Sequence, residues 1–270
     1  MTGMAGHSSY IEFASRHSAP SGSQTSPTLV LLHAFPLHAG MWEPQRPLAD
    51  AGLRVVMPNV RGFGDGTDAV AAASIDAYAE DVIALLDHLN IETAIIGGLS
   101  MGGYIALALY RLAPERFSGL VLADTRADAD ADPARANRRR LISLAAASGS
   151  AAIAADMVPR LLGATTQVQR PELTRVVHDM ICESPVPAIQ AALTAMMDRA
   201  DSTPLLSRIA VPTLALVGDE DVLTPPSLSE SMASAVPGAR LVRIAAAGHL
   251  ASLEQPQAFN EAVTASFARR

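Results

Sequence analysis

The chain has 270 residues, of which 49% are hydrophobic and 17% charged, with a formal net charge of −7 at pH 7. That balance belongs to a globular protein, excludes a disordered one, and argues against nonspecific binding to nucleic acid. Cys182 is the single cysteine, so an internal disulfide is excluded and a reducing, cytoplasmic setting is the expectation. The opening stretch "MTGMAGHSSYIEF" has neither the basic start nor the apolar run of a signal peptide.

Taken in chain order, six short apolar runs rich in β-branched residues read as strands: "TLVLLH" (28–33), "RVVMP" (54–58), "TAIIG" (93–97), "GLVLAD" (119–124), "PTLALVGD" (212–219) and "ARLVRI" (239–244). Their apolar character is continuous rather than alternating, as in parallel strands buried on both faces. Helical patterns lie between them. Ser74 caps a run with Ile75, Tyr78, Val82, Leu85, Leu86 and Leu89 at helical spacing. "GYIALALYRLAP" is a buried helix stopped at Pro114, and further helices begin near Pro225-Pro226 and after Pro256. Thr93 to Tyr110 carries no charge over a length that invites a membrane span. Its central glycines and Pro114 favour a strand, a turn and a helix instead, so no membrane association is expected. This alternation predicts an α/β fold with a mostly parallel, doubly wound sheet. From about Arg126 to Ser207 the strands stop and Ala-, Leu- and Met-rich helical sequence takes over. We read residues 1–125 and 208–270 as the core and 126–207 as an inserted helical cap.

Within the uncharged stretch, Gly98-Leu99-Ser100-Met101-Gly102 matches G-x-S-x-G between a buried strand and an apolar helix. A strand that turns this sharply into a helix leaves the serine exposed at the apex, with flanking glycines permitting close approach. Ser100 is therefore the candidate nucleophile. A nucleophilic serine needs a base, and the base needs an orienting carboxylate, here in the order Ser, Asp, His. His178 and His249 follow Ser100. His178 sits in a helical pattern, whereas His249 lies in a loop between the last strand and last helix, where the base belongs. For the acid, Asp124, Asp219 and Asp221 all follow strand ends. Asp221 is preferred because its position in "GDED" leaves the loop room to reach His249, while Asp219 is expected to fix the turn locally. An oxyanion hole needs two backbone donors. Met101 N–H is one, and Phe35 N–H is the other, since Pro36 has none. His33 is read as a brace for that loop.

The segments "LLHAFPLHAGMW", "PNVRGFGDG", "GGLSMGGYIALALYRLAPERFSGLVLADT", "VPTLALVGDEDVLTPP" and "AGHLASLEQPQAFN" together resemble the α/β-hydrolase superfamily. They are most similar to its branch of 3-oxoadipate enol-lactonases and small carboxylesterases. The resemblance implies the α/β-hydrolase fold and spans nearly the whole chain outside the cap. Ala34, Asn59, Gly66 and Ser252 depart from the residues usual in that branch.

Competing motifs are incomplete. Gly62 and Gly64 are followed by Thr67 where a dinucleotide fingerprint needs its third glycine. Asp128, Asp130 and Asp132 mimic a calcium loop, but Pro133 and Arg139 occupy its glycine and glutamate positions. No metal and no cofactor are expected. The expected reaction is hydrolysis of small to medium carboxylic esters or lactones through an acyl-enzyme on Ser100. The alternative substrate is 3-oxoadipate enol-lactone, with C–C hydrolysis, perhydrolysis or ligand binding without turnover further behind. The serine argues against a haloalkane dehalogenase, which needs a carboxylate nucleophile there. Trp42, Met157, Leu161 and Met196 are assigned to substrate binding, with Leu162, Met180, Ile181 and Met197 as further wall candidates. Arg138, Arg139 and Arg140 read as a solvated helix face, and with Arg160 are the cap's cations. On that reading neutral esters are favoured over the charged lactone.

Overall fold

The computed structural model describes residues 2–5, 8–15, 26–64 and 74–268. Gly66 and Thr67, and Met1, Gly6 and His7 of the opening stretch, lie outside them. Among the described residues, strands β1 (Thr2–Ala5), β2 (Ser8–Phe13), β3 (Thr28–Leu32), β4 (Arg54–Pro58), β5 (Ala94–Leu99), β6 (Phe117–Ala123), β7 (Thr213–Gly218) and β8 (Arg240–Ile244) form one sheet. Its order is β1-β2-β4-β3-β5-β6-β7-β8. β1 and β2 pair antiparallel, β2 joins β4 antiparallel, and every pairing from β4 to β8 is parallel. The hairpin β1–β2 was not read from the sequence; its residues lack the continuous apolar run of the central strands.

β3, β5 and β7 are buried along their whole length, which is why their residues are apolar without alternation. β8 closes the edge and is half-exposed. Leu29, Leu31 and Leu32 have no exposed surface, and shortening any one to alanine costs about 2–5 kcal/mol. The helices outside the insertion are α1 (Pro47–Asp50), α2 (Ile75–His88), α3 (Met101–Leu112), α8 (Pro226–Ala235), α9 (Ala251–Glu254) and α10 (Pro256–Phe267); α3, α8 and α10 pack directly on the strands. Ser74 Oγ accepts from Ala77 N at 3.1 Å to cap α2, whose buried stripe holds Ile75, Tyr78, Val82, Leu85 and Leu86. The uncharged stretch 93–110 is accordingly β5, a turn and the buried helix α3.

Between β6 and β7 the chain leaves the sheet for α4 (Asp132–Leu161), α5 (Ala164–Gln169), α6 (Pro171–Cys182) and α7 (Val186–Met197). α4 packs on α6 and α7 through apolar residues including Leu141, Ile153, Val177, Ile181, Ile189 and Leu193, all buried. By length and composition α4 alone among the described helices is able to cross a membrane. Gly149, at φ 76° and ψ −175°, breaks it into two pieces. Arg138, Arg140, Asp156 and Arg160 on it are ion-paired. Residues of this helical segment line one cavity with Ser100 after β5, Thr224 after β7 and His249 after β8.

Candidate active site

Ser100 stands between the last residue of β5 and the first of α3, at φ 55° and ψ −112°. A non-glycine residue there is strained by about 1–3 kcal/mol, so its surroundings must hold it. They do so from β6 and from the helix: Ser100 N donates to Ala123 O at 3.0 Å. Ser100 O accepts from Gly103 N at 2.9 Å and from Thr125 Oγ1 at 2.8 Å. The flanking glycines are required sterically. A Cβ on Gly98 would overlap the backbone of Gly102, and one on Gly102 would overlap the carbonyl of Leu32.

His249 lies in the loop between β8 and α9, with 3% of its side chain exposed. Its Nδ1 donates to Asp221 Oδ2 at 2.8 Å. Asp221, in the loop after β7, also accepts from Leu223 N at 2.8 Å, Thr224 N at 2.9 Å and Thr224 Oγ1 at 2.5 Å. Burial pushes the Asp221 carboxyl up, but the facing imidazole and the hydrogen bonds from His249 and Thr224 outweigh it and hold it below its ordinary value. With Nδ1–H committed to the carboxylate, Nε2 is the ring nitrogen left to accept a proton. Ser100 and His249 line one cavity of about 150 Å3, together with Phe35, Tyr104, Thr224 and residues of the cap.

The other aspartates take different places. Asp219 does not fix its own turn; its Oδ1 accepts from Arg243 Nε at 2.6 Å on the surface. Asp124 is fully buried, accepts from Gly218 N at 2.8 Å, and ties the end of β6 to the end of β7. Burial first, then the neighbouring Asp221 charge, raises its pKa well above the ordinary carboxylate value. It bonds the backbone of Gly218, and the partner of His249 is Asp221. His33 braces the loop after β3: Nε2 accepts from Val60 N at 2.9 Å and Nδ1 bonds Ala34 O at 3.0 Å. Its burial lowers its pKa to about 3. Phe35, in the same loop, is on the cavity wall; the Phe35–Pro36 peptide is cis. Met101 heads α3, where the first N–H groups have no partner within the helix.

Met157, Leu161 and Met196 are on the cavity wall. Trp42 is not. It is fully buried in the core with its ring centroid 5.9 Å from that of Phe259 on α10, because its 3-10 segment Ala39–Gln45 packs inward. Leu162, Met180, Ile181 and Met197 are also off the wall; Leu162 and Ile181 are consumed in packing. His178 is exposed on α6 beside Asp179.

Of the arginine run read as a solvated helix face, Arg139 and Arg140 are exposed, whereas Arg138 turns to the cavity. Arg126, Arg138 and Arg160 line the cavity, with Asp130 as the acidic residue on its wall. Arg126 forks onto Asp128 through Nε, at 2.8 Å, and Nη2. Arg160 Nη2 reaches Asp156 at 2.6 Å. Asp130, 2% exposed, accepts from Arg138 Nε at 2.9 Å and from Arg199 Nη1 at 2.5 Å. Burial opposes its charge, yet Arg138 and Arg199 together hold its pKa below the usual value. Arg199 also lies 4.1 Å over the ring of Tyr104. Two guanidinium groups therefore share one carboxylate at the wall. The i, i+8 spacing of Asp130 and Arg138 was the signal available in the sequence; Arg199, 69 residues from Asp130, gave none. Among the described residues no cluster of three or more His, Cys, Asp or Glu is arranged for a metal ion.

A strained serine at a strand–helix elbow that shares a cavity with a carboxylate-held imidazole is the arrangement of the α/β hydrolases. The chain matches the family described as alpha/beta hydrolase fold over residues 27–256 and belongs to it. It is 30% identical to 3-oxoadipate enol-lactonase 2 of Acinetobacter baylyi, over 92% of this chain and 91% of that one. Among solved structures, a malate-bound thermophilic esterase from Thermogutta terrifontis aligns with TM-score 0.88 and 36% identity, covering 95% of this chain and 91% of that one. The enol-lactonase from Burkholderia xenovorans LB400 aligns with TM-score 0.87 and 25% identity, covering 98% of each chain.

Proposed function

We propose that this hydrolase cleaves carboxylic esters or lactones with Ser100 as nucleophile, His249 as general base and acid, and Asp221 as its orienting carboxylate. The observation that carries the reading is the opening of the elbow serine and the Asp221-paired imidazole onto one cavity. In this mechanism His249 Nε2 takes the Ser100 proton as Oγ attacks the carbonyl carbon. The N–H groups of Phe35 and Met101 receive the developing oxyanion. The imidazolium, stabilised by Asp221, protonates the departing alkoxide or enolate oxygen. His249 then deprotonates a water that releases the acyl group and restores Ser100. Each step is balanced without a cofactor.

A second reading concerns the substrate, and the arginines favour it. Asp130 neutralises only one of Arg138 and Arg199, and both Nη groups of Arg138 lack a hydrogen-bond partner among the described residues. An uncompensated guanidinium on a half-buried wall is matched by a substrate that carries its own carboxylate. This moves the preference from neutral esters toward acid-bearing esters and lactones, of which 3-oxoadipate enol-lactone is one. The test is kcat/KM for that lactone against 4-nitrophenyl butyrate, in the wild type, Ser100→Ala and Arg138→Met. Ser100→Ala should lose on the order of 10⁴-fold or more on both substrates. Arg138→Met should lose about 10- to 100-fold on the lactone alone, the range of a charge-assisted hydrogen bond. Turnover that survives Ser100→Ala refutes the nucleophile. Equal losses on both substrates in Arg138→Met refute the acid-reading role.

A further inference from the structure

Glu254 ends α9, five residues beyond His249, and is 1% exposed. A buried carboxylate is costly unless its lone pairs are used. Here three backbone donors use them. Oε1 accepts from Gly248 N at 2.9 Å and from Leu250 N at 3.1 Å, the two residues that flank His249. Oε2 accepts from Gly163 N at 2.8 Å, in the corner where α4 gives way to α5. Leu161, two residues before that corner, is on the cavity wall.

The same corner is held a second time. Glu220, the residue before Asp221, accepts from Thr165 N at 2.8 Å and from Thr165 Oγ1, and its own N–H donates to Ala247 O at 2.8 Å. Close approach is built in with glycine: a Cβ on Gly163 would stand 2.5 Å from Glu220 Oε2 and 2.8 Å from Gly248 N. The loops that carry Asp221 and His249 are thus both bonded to one corner of the cap, one by Glu220 beside Asp221 and the other by Glu254, which holds the residues on either side of His249.

We propose that Glu254 is a positioning residue, which sets His249 by fixing the peptide groups on both sides of it and couples that setting to the cap at Gly163. The proposal rests on His249 being the base. Its logic separates two variants. In Glu254→Gln the amide oxygen keeps Gly248 and Leu250, because that preserves two bonds, and the amide nitrogen faces the Gly163 N–H and releases the cap corner. Glu254→Met has no acceptor and frees all three donors.

The experiment combines steady-state hydrolysis of 4-nitrophenyl butyrate, thermal unfolding and amide hydrogen exchange on the full chain. Glu254→Gln should raise KM about 10-fold with kcat within about threefold, and speed exchange at Gly163 but not at Gly248 or Leu250. Glu254→Met should lower kcat on the order of 10²-fold, the scale of a 1 Å misplacement, and speed exchange at all three amides. Loss of kcat that only follows the unfolded fraction overturns the positioning role, as does unchanged exchange at the three amides. Ser100→Ala separates the two claims. If it keeps turnover, the functional reading itself is wrong. If it silences the enzyme while Glu254→Met keeps wild-type kinetics, only the Glu254 proposal falls.

Discussion

Asp221→Asn is the sharpest perturbation of the site, since it changes one atom of the hydrogen-bond pattern. Asp221 Oδ1 accepts from the N–H groups of Leu223 and Thr224, so an asparagine keeps its oxygen there. Its NH2 then replaces Oδ2, the atom that accepts from His249 Nδ1 and Thr224 Oγ1. A donor now faces Nδ1, which must become an acceptor. The proton moves to Nε2, and the nitrogen that receives the Ser100 proton in the proposed mechanism is already occupied. The side-chain volume and the backbone bonds are unchanged, so the loss is one of tautomer and of cation stabilisation. Comparable changes in a Ser-His-Asp triad cost about 10⁴-fold, equivalent to about 5.5 kcal/mol of transition-state stabilisation. The assay is kcat/KM on 4-nitrophenyl butyrate at pH 7.5, with urea unfolding to show that the variant is folded. Activity within tenfold of wild type refutes the reasoning. So does an equal loss in Asp124→Asn, which would put the acid at the end of β6.

Two further expectations concern stability and pH, and they have opposite signs. Asp124 has a folded pKa raised above its ordinary 3.8, so its contribution is complete below that pH and is lost as pH rises through the folded value. Asp124→Asn, which removes the titrating carboxyl, should therefore gain stability relative to wild type as pH rises above 4; a constant difference in urea midpoints would refute this. His33 has a folded pKa lowered from 6.5 to about 3, so folding is favoured above pH 6.5 and loses about 1.4 kcal/mol per pH unit below it. In the Asp124→Asn background, where the opposing carboxyl is gone, stability should fall by about 2 kcal/mol between pH 7 and pH 5. A flat profile there, or a His33 ring that titrates near 6.5 by NMR, would show that it is not held neutral.

The central sheet and the elbow were legible in the sequence because their causes are local. Strands buried on both faces must be apolar at every position, and β3, β4, β5, β6 and β7 begin and end within about two residues of their apolar runs. Gly98 and Gly102 bracket Ser100 because strand and helix cannot close around it with Cβ atoms in place, a constraint contained in five residues. Ser74 announced α2 for the same reason, since a cap and the N–H it accepts are three residues apart. What remained open depended on partners distant in the chain. Three aspartates follow strand ends, and only packing put Asp221 against His249, Asp124 against Gly218 and Asp219 against Arg243. An arginine run looks solvated from its own neighbours. The wall emerges only when Arg199 arrives from the far end of the cap to share Asp130 with Arg138. Trp42 and Glu254 make the same point: one is drawn into the core by Phe259, the other bonds Gly163 across 91 residues. Periodicity and turn chemistry act over one to four residues and are written in the sequence, whereas the pairing of charges and the facing of side chains are decided by how the elements pack.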